Sequence, residues 1–342
     1  MATKTKKVVV LPTARQESIF RMIDVGQKRV THRRAVASGT ITVGRAAFKK
    51  ILDKTLPKGD VLALAEIAGI MGAKKTPELI PMCHTLPIDQ VSIHCVPTAP
   101  DAVVVYGQVS AHAKTGVEME AVMAVQAALA TIWDLVKGTE PALTIGNVKL
   151  LVKEGGKSGL WINPEGIPDW LLAQLPDQKP LKGLNAAIIV MSDRAVKGIY
   201  EDKSGPVLKG FLAQHGARLS DYTVLPDESD KLAAHLQKTI SKYKPDFIIA
   251  SGGTGLSKRD VTPETLEKIC DRMIPGFGEL LRKDGAQLTN KSWLSRSAAG
   301  MLGDTLIIAL PGSPKAVQEG MEALLPILPH ALSMVCGGKH HV

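Results

Sequence analysis

The stretch "WINPEGIPDWLLAQLPDQKPLKG", residues 161–183, decides how the rest of the chain is read. It carries four prolines and neither a helical nor a strand period, so it reads as a linker with one helical turn at "DWLLAQ". It falls near the middle of 342 residues and divides a chain too long for one typical domain into two. The patterns on its two sides differ in kind.

Downstream the chain alternates strand and helix. "LNAAIIVMS" is continuously apolar, as a strand covered on both faces must be. "GPVLKGFLAQHG" follows as a helix, "SDYTVLPD" as a strand, "KLAAHLQKTISKY" as a helix, and "PDFIIASGG" and "DTLIIALPGSP" as strands. This alternation predicts an α/β doubly wound, Rossmann-like domain over 184–342, with a ligand crevice at the carboxyl ends of its strands.

Upstream, "GDVLALAEIAGIMGAKK" (59–75) and "VEMEAVMAVQAALATIWDLVKG" (117–138) have helical spacing, the latter with Gly138 placed as its C-cap. "IDQVSIHCV" (88–96), "AVVVYGQVS" (102–110) and "TIGNVKLLV" (144–152) read as strands. Few helices against an antiparallel sheet predict an α+β, ferredoxin-like domain over 18–160, and residues 1–17 read as a flexible basic tail.

The net charge of +9 is uneven, +7 over residues 1–182 and +2 over the remainder. A basic first half fits an anionic partner, either phosphates on a small molecule or nucleic acid. Aromatic residues make up only 4% of the chain, which counts against a nucleic-acid surface built on base stacking. No apolar run approaches the roughly 20 residues of a membrane span, and the first residues lack a signal-peptide core. Cys83, Cys95, Cys270 and Cys336 contain no C-x-x-C pair and suit a reducing compartment, so the chain reads as cytoplasmic.

In the second half, "VMSDR" places Ser192 and Asp193 after one strand, and "VLPDES" places Asp227 after another. "ASGGTGLSKRD" contributes Gly252, Gly253, Thr254, Gly255 and Asp260, and "LPGSP" contributes Pro311, Gly312 and Ser313. In a parallel sheet these loops converge on one crevice. Glycines there let backbone N–H groups approach phosphate, and Asp227 with Asp260 suits a Mg²⁺ shared with nucleotide oxygens. "MSDRA", "PDES", "SGGTGLSKRDVTPE", "IPGFGE", "SWLSR" and "LPGSPKAV", in this order, resemble the motifs of molybdopterin adenylyltransferases. The resemblance implies a trimeric enzyme using ATP and Mg²⁺. In it, the "GGTG" loop and Ser313 hold phosphates, Asp227 and Asp260 are catalytic metal-associated carboxylates, and Glu279 and Ser295 line the pocket. Relatives that bind such ligands without turning them over leave a non-catalytic binding or scaffold module open.

In the first half, "KTGVEMEAVM" (114–123) sets Glu118 and Glu120 two positions apart at the entry to a helix, where neither serves the fold in an obvious way. With "PKGDVLALAEIAG", "IPMCHTLP", "WDLVKG" and "KEGGKSG" it resembles cyclic pyranopterin monophosphate synthase from "MIDV" at 22 to about 159. The resemblance implies Lys58, Asp134 and Lys137 as central catalytic groups, with Lys157 assisting. Met82, Cys83 and His84 would line a substrate pocket with Met119 and Glu120, beside Glu118, and Lys58, Lys114 and Lys157 would face a polyphosphate. Thr85 stands where that family most often has proline. That family is usually a hexamer, a trimer of dimers with a pocket shared between subunits. The two resemblances together imply a bifunctional homo-oligomeric enzyme of molybdenum cofactor synthesis. It would act on pterin and nucleotide substrates without a tightly bound organic cofactor.

Overall fold

A computed structural model describes residues 20–26, 28–156 and 159–335. The proposed tail at 1–17, Lys157 and Cys336 lie outside the described residues. The chain divides into two compact units between Ala173 and Gln174.

The first unit runs β1 (Thr31–Thr42), α1 (Arg45–Leu52), α2 (Val61–Leu79), β2 (Ile88–Thr98), β3 (Ala102–Ala113), α3 (Glu118–Val136), β4 (Thr144–Glu154), β5 (Trp161–Ile162) and α4 (Asp169–Leu172). Its sheet has the order β2-β3-β1-β4-β5, antiparallel throughout. This is the ferredoxin-like βαββαβ arrangement with a short fifth strand. Asp60 caps α2 by accepting from Ala63 N at 3.2 Å. Small residues let α2 and α3 lie close: a Cβ on Gly72 would come within 2.5 Å of Ala127 Cβ. Gly39 does the same for α3 on the sheet, where a Cβ would meet Leu129 at 2.7 Å. The core between helices and sheet includes Ile41, Val105, Val125, Leu129 and Ile132, all fully buried.

Several expectations change here. The central strand β1 occupies "THRRAVASGTIT", a stretch to which the sequence reading assigns no element. Helix α3 ends on Val136 with Lys137 as its C-cap in the right-handed region, and Gly138 has no left-handed φ. By length and composition alone α3 is apolar enough to cross a membrane, and it packs here as the core helix. The proline-rich stretch carries structure at both ends. β5 pairs with β4, Leu171 is fully buried, and Trp170 meets Tyr106 edge-on at 5.3 Å. Residues 174–183 belong to the second unit, with Leu181 fully buried.

The second unit runs β6 (Asn185–Met191), α5 (Asp193–Val196), α6 (Ser204–Gln214), β7 (Arg218–Leu225), α7 (Ser229–Tyr243), β8 (Phe247–Ser251), α8 (Thr262–Ile269), β9 (Arg272–Met273), α9 (Pro275–Ala286), a 3₁₀ turn (Asn290–Leu294), β10 (Ala299–Leu302), β11 (Thr305–Leu310), α10 (Pro314–Leu324) and α11 (Leu328–Val335). The sheet order is β7-β6-β8-β11-β10-β9. The first four strands are parallel, and β10 and β9 form an antiparallel edge. Alternate residues of β6 face separate cores: Ala186, Ile188 and Val190 on one side, Ala187, Ile189 and Met191 on the other. This is why the strand is apolar throughout. Strand order reverses between β6 and β8, and an open α/β sheet forms its crevice at such a switch.

Candidate functional sites

In the first unit the predicted residues form two clusters, one at each end of α3. At the carboxyl end, Asp134 lies between two ammonium groups: Lys58 Nζ at 2.9 Å from Oδ2 and Lys137 Nζ at 2.7 Å from Oδ1. Lys58 is delivered by the turn before α2, where Gly59 takes a φ of +96°, and it also donates to the carbonyl of Asp134 at 3.1 Å. Cations at a helix carboxyl end complement its dipole. Hydrogen bonds from Lys137 and then Lys58 pull the Asp134 carboxyl down to about 2, so it is ionised at any pH near neutrality.

At the amino end of α3, Glu118 and Glu120 occupy the first turn, a favourable place for negative charge. Glu118 accepts from Lys153 at 3.2 Å. Glu120 is 3% exposed, and burial, with the charge of Glu118, pushes its carboxyl up. Cys83 lies near enough to feel Glu120; burial first and that charge second raise its thiol, so it is no ready thiolate. His84 Nε2 lies 3.0 Å from the carbonyl of Ile23, and Lys114 Nζ donates to that of Gly26 at 2.9 Å. The segment from Ile23 to Gly26 is thereby held against both loops. Met82 and Met119 are partly exposed.

Sequence reasoning misses two cations here, Lys153 and Arg33. Arg33 donates to the carbonyls of Ala113 (3.3 Å) and Lys114 (3.5 Å) at the turn into α3. Glycines at 155 and 156 close beside it, and a Cβ on Gly156 would overlap its guanidinium. The "HRR" run contains the signal but gives no indication that it folds inward.

Asp134 lies fourteen positions after Glu120 on the helix, roughly 21 Å along the axis. One chain therefore brings Lys58, Asp134 and Lys137 together, and separately Cys83, His84, Lys114, Glu118 and Glu120. It does not bring the two sets together.

In the second unit the strand-end loops converge as expected. The backbone N–H of Asp193, after β6, donates to Asp227 Oδ2 at 3.0 Å, and that of Asp227, after β7, returns a bond to Asp193 Oδ1 at 3.1 Å. Burial chiefly, and the charges of Asp193 and Asp260, raise the Asp227 carboxyl. Asp260 Oδ2 accepts from Ser257 N at 2.8 Å, closing its loop on itself. Ser192 caps α5 by accepting from Ala195 N at 3.2 Å and shares a hydrogen bond with Tyr200 Oη at 2.9 Å.

The "GGTG" loop needs its glycines. Gly252 has a φ of +106°, and a Cβ there would come within 2.3 Å of the Met191 carbonyl oxygen. Gly253 has a φ of +63° beneath Thr262, and a Cβ on Gly312 would sit 3.2 Å from Gly252 Cα. The "GGTG" and "LPGSP" loops are thus in contact. Thr254 is buried, Pro311 accepts from Ser251 Oγ at 3.4 Å, and Ser313 caps α10 by accepting from Ala316 N at 3.2 Å. Ser295 Oγ pairs with Ser297 Oγ at 2.9 Å. Glu279 is exposed on α9, and no described contact ties it to these loops.

Sequence alone does not single out two arginines of this crevice. Arg296 donates to the carbonyls of Gly255 (2.7 Å) and Asp260 (2.6 Å) and pairs with Glu264. Arg259 pairs with Asp193. Both lie inside the motif-bearing segments "SKRDVTPE" and "SWLSR", but only contacts distinguish a structural arginine from an available one.

An α+β unit with a lysine–aspartate–lysine cluster and a doubly wound unit with glycine-rich, acidic strand-end loops define a two-domain α+β and α/β protein. Residues 22–156 match the MoaC family, and residues 187–330 match the probable molybdopterin binding domain. Over 320 residues the chain is 42% identical to the molybdenum cofactor biosynthesis bifunctional protein of Synechococcus elongatus, covering 93% of this chain and 98% of that one. A cyclic pyranopterin monophosphate synthase of Chloroflexus aurantiacus is 46% identical over 145 residues, 42% of this chain and 89% of its own. A molybdopterin adenylyltransferase of Helicobacter pylori is 38% identical over 164 residues, 47% of this chain and 93% of its own. The chain belongs to the bifunctional molybdenum cofactor biosynthesis proteins, an enzyme family that joins a MoaC domain to a molybdopterin-binding one.

Proposed function

We propose that the first unit converts 3′,8-cyclised dihydro-GTP to cyclic pyranopterin monophosphate with release of pyrophosphate, and that the second adenylylates molybdopterin with Mg-ATP. The observation that carries the first reaction is the Asp134 carboxylate held between Lys58 and Lys137. Asp134 fixes two ammonium groups a few ångströms apart, where they neutralise phosphate oxygens and deliver protons to the departing groups. Glu120, Cys83, His84 and Met119 form the opposing wall, and Lys114 and Lys157 add cations for the phosphate chain. These two sets sit at opposite ends of α3, so the complete site takes one set from each of two chains. This reading makes the protein a homo-oligomer, a trimer or hexamer, working in the cytoplasm.

In the second unit the terminal phosphate of molybdopterin attacks the α-phosphorus of ATP, and the α–β bridging bond breaks to release pyrophosphate. The loops after β6, β7, β8 and β11 supply positioning: Gly252 to Gly255, Pro311, Gly312 and Ser313 cradle phosphates, and Ser192, Asp193, Glu279 and Ser295 contact the rest of the ligand. The donor set fits Mg²⁺, since Asp227 and Asp260 are hard oxygen ligands close enough for their charges to interact. Bound there, the ion would neutralise charge on the phosphates.

The test is to supply cyclised dihydro-GTP to the full chain and to Asp134→Ala, following the oxidised pterin product by fluorescence-detected chromatography. Product from the parent and none from the variant is expected. A folded, oligomeric parent that forms no product overturns the first assignment.

A further inference from the structure

The carboxylate-rich crevice of the second unit poses a charge problem. Asp193, Asp227 and Asp260 converge at the ends of β6, β7 and β8, where a triphosphate would have to enter. A single divalent ion against three carboxylates leaves the crevice negative, so a protein cation is needed to admit the nucleotide.

The arginines near it are not equivalent. All three guanidinium nitrogens of Arg296 are engaged, on Gly255, Asp260 and Glu264. Arg282 donates to the carbonyls of Ser295 and Ser297. Both clamp the fold. Arg259 is different: its side chain is 60% exposed, its described partner is Asp193 through one terminal nitrogen, and its charge reaches Asp227 and Glu228. It stands on the loop between the "GGTG" turn and α8, next to Asp260, and has guanidinium donors to spare for a bidentate grip on an anion.

From this we infer that Arg259 is a nucleotide-phosphate-binding residue whose ion pair with Asp193 holds it at the crevice. On nucleotide entry the guanidinium exchanges the Asp193 carboxylate for phosphate oxygens beyond the α-phosphate. Asp193, still bonded to Asp227 N through Oδ1, keeps the two strand ends in register. The inference rests on the adenylylation reading of this unit.

Calorimetric titration of the full chain with AMP, ADP and ATP in Mg²⁺ tests it. Arg259→Ala weakens ATP binding about tenfold to a hundredfold, the loss expected for a charge-assisted contact. It leaves AMP binding nearly unchanged, and Arg259→Lys restores part of the loss. Equal ATP affinity in parent and Arg259→Ala, or an equal loss for AMP and ATP, overturns the inference. A parent that binds none of the three nucleotides overturns the adenylylation reading itself, so the two failures are distinguishable.

Discussion

If the first site is assembled from two chains, two inactive variants should rescue each other. Asp134→Ala removes the carboxylate at one end of α3, and Glu120→Gln alters the wall at the other, roughly 21 Å away. Each variant alone leaves every site with one damaged half. When the two are co-expressed in equal amounts, about half of the pairs are mixed. Each mixed pair has one site with both lesions and one with neither, so activity returns to about one quarter of the parent. Co-expressing the parent with the double variant gives a second reading. Shared sites again yield about one quarter, because mixed pairs have one lesion in every site, whereas self-contained sites yield about one half. The assay is pterin product per total chain, with sedimentation to confirm assembly. A mixture of single variants no more active than its components would refute the shared site and return the whole reaction to one chain.

Other outcomes follow from individual residues. Glu120→Gln should raise thermal stability near neutral pH while lowering first-unit activity. A carboxyl pushed up by burial favours the protonated folded state, so its drag on stability grows as pH rises and disappears below its ordinary range. Asp134 has the opposite sign: its contribution is complete above its unfolded value, near pH 4, and is lost as pH falls towards about 2, so acid titration should leave the lysine clamp intact to well below pH 4. Gly252→Ala should destabilise the second unit by about 1–3 kcal/mol from backbone strain, with a further loss from overlap with the Met191 carbonyl, measured by urea unfolding. Leu171→Ala should cost the first unit about 2–5 kcal/mol by the same method, because this side chain is wholly buried in a stretch that reads as a linker.

What the sequence reveals depends on how local the determinant is. The run in 117–138 announces α3 because its apolar and small residues repeat at helical spacing. "NAAIIVM" announces a doubly covered strand because no polar position interrupts it. The strand-end loops are legible for the same reason, since glycine and aspartate cluster where the apolar runs stop. β1 is opaque. Ala35, Ala37, Ser38, Gly39 and Thr40 are too small or polar to mark a central strand. Its opening arginines carry no strand signal, although Arg34 forms a nearly buried ion pair with Glu154. The separation of Asp134 from Glu120 is visible in the residue count, and the resemblance implies a pocket shared between subunits; the helix between them gives that implication a distance. Arg259 and Arg296 look alike in sequence and differ only in how many of their donors the fold has already taken.

The same strand governs how the protein is made. β1 lies between β3 and β4, and Arg34 meets Glu154 across 120 residues of chain. At about 5–20 residues per second, a nascent chain waits roughly 6–24 s between placing Arg34 and adding its partner. Through that interval the middle of the sheet has no far edge, and its strands are open to pairing with other chains. β6 of the second unit meets Arg218 of β7 only 33 positions after Asn185. The half of the protein that leaves the ribosome first therefore carries an unpaired β1 edge through most of its own synthesis.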